Sequence, residues 1–595
     1  MSRPFRRIVV GRCLSWAALV TLSLVLAAPP REMARAAEPD DVAEHLEAGE
    51  FAAAWQLANE AGPGRDDALS RIAAAQLRAG DRRDALATVG EIADDRIRRQ
   101  ALDGMRSGGG GFPGGNNGGL GDQPIGQGGQ GGAPEPDFEA LIDLIVSVVA
   151  PQSWDEVGGP GSIREFEGGV RVDADGLVHS LLGADERDAR LDAVREASAR
   201  PSANADVRRL SRHRKVSLTR LEKAVQLRLA AGLPLDEEMQ VLAGLQRIEY
   251  VLVYPETGDI VVAGPAGDWR TDDEGRIIGT QTGHPAMRLD DLVVVLRQAF
   301  SGEGRFGCSI TPLPEALART KAFLEESAKK PLKPSQRSAW LDELQAAMGE
   351  QAIEYYGIDP QTRVGRVLFE ADYRMKLVGI GLEEGVREVP SYLDMVRVPA
   401  GEAPPPLGVL RWWFTLNYDS LVASPNRDVF EFHGQGVQVL SENELLTAEG
   451  QRVHTGESEP LNQQYARNFT QHFAELAVKY PVYAELQNVC NLALAAALIK
   501  AEDLPAQVGW HMTCFGDPRE YAVAADRAPQ RVPTVINHRV INRKHILAAA
   551  SGGVRVDPTA LVAPGAIVAE STNRLDSEHE RFAPVELSAT AWWWD

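Results

Sequence analysis

Between Ser107 and Pro136 the chain reads SGGGGFPGGNNGGLGDQPIGQGGQGGAPEP, with 14 glycines in 30 residues. Glycine has no side chain to bury and loses more conformational freedom on ordering than any other residue. Such a stretch cannot offset its chain entropy by packing, so it is expected to stay a flexible tether with a root-mean-square reach of roughly 30 Å. The residues on its N-terminal side must fold without those on its C-terminal side. The chain is therefore read as a small N-terminal part and a large C-terminal one.

The first residues set an expected destination. Arg3, Arg6, Arg7 and Arg12 precede the apolar run Cys13 to Ala28, and Ala34-Arg35-Ala36 fits the small-x-small pattern of a cleavage site. Residues 1–36 are read as a signal peptide, because the apolar run falls short of the twenty or so residues an anchor needs. Arg6-Arg7 also resembles a twin-arginine export signal. The segment holds six Arg and one Glu, so its removal takes the net charge from −22 to −27. A surface so acidic repels nucleic acid and anionic lipid, which excludes nuclease, polymerase and membrane-surface readings. No later run is read as a membrane span. With 44% apolar and 25% charged residues the composition is that of a globular protein. The expected location is the periplasm, cell envelope or exterior.

Cysteine is sparse. Cys13 leaves with the signal, and Cys308, Cys490 and Cys514 remain. An oxidising compartment allows a Cys490 to Cys514 disulfide, the alternative being three free thiols.

Residues 37–106 contain an internal repeat. Leu46-Glu-Ala-Gly49-Glu and Ala54 match Leu77-Arg-Ala-Gly80-Asp and Ala85 at an offset of 31 residues. A helix ending in Ala-Gly-acid, followed by a second helix with Ala at its contact position, resembles the helical hairpins of tetratricopeptide-like proteins, the alternative being a plain four-helix bundle. Either is an all-helical docking module.

Beyond the linker (107–136), residues 137–205 give a helix with an apolar face from Phe138 to Val149, a stop at Pro151, a GGPGS crossing, and a hairpin of Ile163 to Phe166 with Val170 to Val172. Ile163-Arg164 stand where a phosphate loop carries Lys-Ser/Thr, so no nucleotide site is read there. The unit resembles the small αβ modules in the periplasmic part of bacterial secretins. That likeness implies a packing module able to meet copies of itself.

The remainder divides into expected subdomains 206–325 and 326–505 and a C-terminal extension, 506–595. Helices are predicted over Leu218 to Leu233, Pro234 to Gln246 and Leu289 to Phe300, with a hairpin of Ile248 to Tyr254 and Ile260 to Ala263. Val364 to Phe369 reads as a strand, as does the alternating run around Trp412, Phe414, Leu416 and Tyr418. Val429 to His433 and Val437 to Leu440 read as a hairpin leading to a capped helix start at Ser441-x-x-Glu444. Two helices meet at Pro481, the second nearly apolar. The expected class is multidomain α+β: a repeat-like helical module, a linker, a small αβ unit and a large α+β body. YVLVYPETGDIVVAGPAGDW from Tyr250, GCSITP from Gly307, ADYRMKLVGIGLE from Ala371 and SENELLTAEGQRVHTG from Ser441 resemble a family of uncharacterised secreted bacterial proteins defined only as a domain of unknown function. The likeness spans about 218–500 and implies no activity.

Chemistry is thinly marked. Asp372, Arg374 and Lys376 border apolar segments, where a desolvated acid and base serve either catalysis or a structural ion pair. His511, Cys514, His538 and His545 are residue types that zinc accepts, at spacings looser than finger or ribbon patterns. Cys308 is either a thiol nucleophile or a small buried residue. Trp592 to Trp594 either stack on sugar rings or form a tucked strand. No motif calls for a cofactor. The favoured expectation is an exported, non-enzymatic protein that binds or scaffolds other envelope proteins, with self-association open. The alternative is an exported hydrolase acting through Asp372 or His511 and His538.

Overall fold

The computed structural model describes residues 39–107, 163–166, 169–172, 205–329, 334–398, 409–446, 452–454, 456–534, 536–541, 544–584, 587–588 and 590–595. The leader, almost all of the glycine-rich segment and most of the small αβ unit lie outside them. Of that unit, β1 (Ile163–Phe166) and β2 (Gly169–Val172) pair as the expected antiparallel hairpin.

One compact unit ends at Ala93. It holds α1 (Pro39–Glu47), α2 (Phe51–Glu60), α3 (Arg65–Arg78) and α4 (Arg82–Gly90). Gly49 and Gly80 follow the first and third helices at φ +75° and +89°, a left-handed turn that glycine makes without strain. Ala54 and Ala85, five residues further on, are both fully buried. Asp81 caps α4 by accepting from the Asp84 N–H.

The second unit runs from Asp94, and it claims α5 (Asp95–Ser107), which the sequence assigns to the N-terminal module. This helix turns polar groups inward: Arg98 donates to Gln226 at 2.9 Å and Arg99 to Asp517 at 2.9 Å. A polar inward face reads as a solvated one from sequence alone.

The fold of this unit is α+β, built on two large sheets. The seven-stranded sheet has the order β18-β11-β12-β4-β5-β3-β19. Its strands are β3 (Ser211–Ser217), β4 (Tyr250–Tyr254), β5 (Asp259–Ala266), β11 (Ser420–Ala423), β12 (Val429–His433), β18 (Val568–Ala569) and β19 (Trp593–Trp594). A small hairpin, β6 (Trp269–Thr271) with β7 (Ile277–Gly279), follows β5. The eight-stranded sheet has the order β14-β13-β10-β17-β8-β9-β15, with β16 paired to β17. It comprises β8 (Phe306–Pro312), β9 (Glu350–Tyr356), β10 (Val409–Asn417), β13 (Gly436–Leu446), β14 (Arg452–His454), β15 (Arg531–Pro533), β16 (Ile536–Ile541) and β17 (Lys544–Val556).

The longer helices of this unit after α5 are α6 (Leu218–Ala230), α7 (Leu289–Ser301), α8 (Pro314–Ala328), α9 (Arg337–Met348), α10 (Arg363–Gly379) and α11 (Pro460–Gln471). After them come α12 (Phe473–Lys479), α13 (Pro481–Ala501) and α14 (Arg574–Phe582). Helices α10 and α11 cover one face of the eight-stranded sheet, and α13 packs against α7 and α10 behind them. A single apolar cluster joins both sheets and these helices. The expected divisions at 325 and 505 therefore do not separate folding units: β17, from the C-terminal segment, lies between β10 and β8. By length and apolarity α13 alone among the described helices qualifies to cross a membrane, contrary to the expectation that no such run exists. It is buried at 17 of its 21 positions, which is why it lacks an amphipathic period.

Several local expectations are corrected. Val364 to Phe369 is the start of α10 rather than a strand, because Val364, Val367, Leu368, Ala371, Met375 and Val378 repeat at helical spacing and are all buried. Strand β13 continues to Leu446, so Ser441-x-x-Glu444 caps no helix. β12 and β13 belong to different sheets; Gly434 and Gly436, at φ +128° and +94°, turn the chain from one to the other. The helix expected over 234–246 shrinks to one turn, Glu237–Gln240, because Leu242, Ala243 and Gly244 all take left-handed φ. Cys490 and Cys514 are free and buried, as is Cys308. Cys490 lies inside α13 and Cys514 in a loop held by α6, and no disulfide joins them.

The Trp592 to Trp594 run forms the edge strand β19 on β3, and Arg214, fully buried, donates from Nε and Nη2 to the Asp595 carboxylate at 2.9 Å each. Burial alone would raise the Asp595 carboxyl, but the bonds from Arg214 and Ser211 outweigh it and hold the group below its ordinary value. A depressed acid stabilises above its unfolded pKa, about 3.9, and loses that contribution as pH falls through the folded value. The Trp593 and Trp594 amides should therefore lose hydrogen-exchange protection, corrected for intrinsic rate, as pH drops from about 5 to about 2. Protection unchanged over that range would refute a role for the Arg214–Asp595 pair in holding β19.

Candidate functional site

The face of the eight-stranded sheet opposite α10 and α11 carries three rows of side chains that the register brings side by side. The first runs Gln438, Thr415, Arg555, Gly307, Tyr356 across β13, β10, β17, β8 and β9; the second runs Leu440, Trp413, Gly553, Ser309, Glu354. The third begins Glu442, Arg411, Ser551. Along β10 this face alternates with buried Leu410, Trp412, Phe414 and Leu416, the period-2 pattern of a sheet with one covered face. Gly307 and Gly553 supply no side chain to the open face. A trough of about 910 Å³ lies over them, walled also by Gln298 and Gly302 of the α7 end and by Asp557.

Both glycines are dictated by close approach. A Cβ on Gly307 would stand 2.0 Å from the Val554 carbonyl and 2.4 Å from the Tyr356 hydroxyl. Gly553 has φ +156°, and a Cβ there would stand 2.1 Å from the Cys308 carbonyl. Its N–H leaves the strand ladder and donates downward to Asp372 Oδ1 at 2.7 Å.

Asp372 therefore lies beneath the floor, not in the trough. Its Oδ2 is 2.7 Å from Lys376 Nζ, one turn along α10, and both residues are 0% exposed. A Cβ on neighbouring Gly552 would stand 2.7 Å from Asp372 Oδ1, so the glycine lets α10 approach the sheet. Burial drives the Asp372 carboxyl upward, against Lys376 and the Gly553 N–H. Arg374 lies elsewhere, with its guanidinium 4.8 Å from the Tyr480 ring centre and 3.9 Å from Glu383. The three sequence candidates do not converge on one point. The Cys308 thiol is buried beside them and burial pushes its pKa far up, so the thiolate a nucleophile needs is disfavoured.

The histidine and cysteine candidates are not brought together either. His511 Nδ1 meets Asp95 of α5 at 2.6 Å, and the Cys514 N–H donates to Glu222 Oε1 at 2.7 Å. His538 lies on β16 opposite Leu547, and His545 opens β17 opposite Val540. Among the described residues three potential ligands do approach within 4.8 Å, Glu388, His472 and Glu475, an accessible set in which His472 and Glu475 form an ordinary i,i+3 pair at 2.9 Å.

Sequence reading missed the trough residues. Trp413 shows in it only as an alternating strand position, and Arg411, Tyr356 and Arg555 pass unremarked. The available signal was Gly552-Gly553 inside a strand pattern, which marks close backbone approach. It also missed Glu222, fully buried, which accepts from the Cys514 and Phe515 N–H groups at 2.7 and 2.6 Å and from the Trp510 indole. That carboxylate clamps the 510–515 loop onto α6.

In the trough the charges are mostly paired. Arg411 donates to Glu442 at 2.9 Å, Glu442 also accepts from the Gly456 N–H at 2.8 Å, and Arg305 pairs with Glu303. Asp557 accepts from Thr559. The Arg411 guanidinium stacks 4.8 Å from the Trp413 ring centre. Among the described residues no nucleophile with an adjacent base lines this cavity.

A family described as a protein of unknown function (DUF1598) matches residues 308–392, the stretch from β8 through α10. No curated protein and no solved structure matches the chain.

Proposed function

We propose that this is an exported, non-enzymatic binding protein of the cell envelope, and that the trough on the eight-stranded sheet is its ligand site. The observation that carries the reading is the separation of the two features. The buried acid and base, Asp372 and Lys376, are sealed under the sheet, while the ligand-sized cavity above is lined by a tryptophan, a tyrosine and guanidinium groups without a catalytic constellation. The N-terminal helices act in this reading as a tetratricopeptide-like docking module for other envelope proteins. The matching left-handed Gly49 and Gly80 and the matching buried Ala54 and Ala85 support it. The secretin-like unit at 137–205 supplies self-association.

The test is a thermal-shift survey of residues 37–595 with oligosaccharides, peptides and small metabolites, repeated on Trp413→Ala. Stabilisation of the parent protein that disappears in the variant supports the reading. Hydrolytic turnover that Asp372→Asn abolishes, or stabilisation indifferent to Trp413, would overturn it in favour of another site.

A further inference from the structure

Among the described residues the trough holds one guanidinium, Arg555, and one carboxylate, Asp557, that make no ion pair. Among the described residues neither the Arg555 guanidinium nor the Tyr356 hydroxyl makes a hydrogen bond or ion pair, whereas Arg305 and Arg411 are committed to Glu303 and Glu442. Arg555 and Tyr356 are the register partners of Gly307 on either side, and the Tyr356 hydroxyl overhangs that glycine. Strand spacing sets their backbones about 10 Å apart, and the missing side chain of Gly307 leaves room for the Tyr356 hydroxyl to sit over that glycine. One row away, about 7 Å along the strands, Trp413 flanks the second bare position, Gly553.

We infer that the trough takes a sugar unit bearing a single carboxylate, the carboxylate held between the Arg555 guanidinium and the Tyr356 hydroxyl, and the adjoining sugar ring lying over Gly553 against Trp413. This rests on the binding reading above. A guanidinium and a hydroxyl match one carboxylate, and the Trp413 face turned away from the Arg411 guanidinium suits the C–H side of a sugar ring. A phosphate dianion is less well served. The backbone N–H that a phosphate nest would use, that of Gly553, is already given to Asp372. A polyanion meets a chain whose net charge over residues 37–595 is −27. A peptide strand has no free ladder here, since β17 is paired on both sides by β10 and β8.

The experiment is calorimetric titration of residues 37–595 with cellobiouronic acid, with cellobiose as its neutral counterpart and a glutamate-bearing tripeptide as the rival carboxylate. Wild type, Arg555→Gln, Tyr356→Phe and Trp413→Ala are compared, each first shown to keep its melting temperature. The expected result is binding of the acidic disaccharide at least tenfold tighter than cellobiose. Arg555→Gln brings the acid to within about twofold of cellobiose, Tyr356→Phe weakens the acid more than cellobiose, and Trp413→Ala weakens both sugars. Equal binding of acid and neutral sugar, preference for the peptide, or indifference to Arg555→Gln would overturn the inference while Trp413-dependent binding keeps the trough as a site. If neither these probes nor the broader survey gives Trp413-dependent binding, the binding reading falls and the inference with it.

Discussion

Asp372→Ala is expected to destabilise the protein by about 3–5 kcal/mol, because it leaves the Lys376 ammonium buried without its counter-charge. Both side chains are 0% exposed, and Asp372 also holds the Gly553 N–H that has left the strand ladder. The loss thus has two parts, a stranded cation and an orphaned backbone donor, each costly in a dry interior. Replacing both partners by apolar side chains, Asp372→Leu with Lys376→Met, is expected to recover part of the loss, since an ion pair gains little over well-packed apolar groups once both desolvation costs are removed. The Gly553 N–H remains unpaired in that double variant, so recovery should stop short by about 1–3 kcal/mol. Urea unfolding of the wild type and these variants checks this. An Asp372→Ala cost below about 1 kcal/mol would mean that the pair is open to water and that its sealed position under the sheet is wrong.

The same pair shows how much the sequence could carry. Composition and the spacing of apolar residues suffice for the α+β class and for β4, β5, β10, α6, α7 and α13, where local pattern and tertiary setting agree. Asp372 and Lys376 are conspicuous as charges between apolar segments, and their i,i+4 spacing suits one helix face. The apolar run before them nevertheless reads equally as a strand, and only the burial of Val364, Val367, Leu368 and Ala371 on one side decides for the helix. The trough was illegible for a different reason. Its walls and floor come from β8, β9, β10, β13 and β17, which are separated by as much as about 250 positions, and register alone makes Arg555 and Tyr356 neighbours across Gly307. No local pattern encodes that. The exchange of β12 and β13 between sheets is likewise decided by where Gly434 finds room, its Cβ position lying 2.7 Å from Tyr418 Cα.

A second large effect is expected at Glu485, in the otherwise apolar α13. Its carboxylate, 2% exposed, receives both Arg276 from the turn before β7 and Arg363 from the start of α10, and Arg363 also reaches Asp291 of α7. Four elements thus meet at one buried acid. Glu485→Ala should cost about 3–5 kcal/mol, since two largely buried guanidinium groups lose a shared partner at once. Glu370→Ala is the internal control. Glu370 binds Arg276 and Arg366 from the same cluster, but its side chain is 23% exposed, so water can replace it and the expected cost is about 1 kcal/mol or less. Glu485→Gln separates charge from shape: it keeps an acceptor oxygen, loses the charge, and should fall between the two. Because the pair is buried, added salt should change the Glu485→Ala deficit little while eroding that of Glu370→Ala. If the two alanine variants lose the same stability and respond alike to salt, the cluster is a solvated surface network, and the junction of α7, α10 and α13 must be held by apolar contact alone.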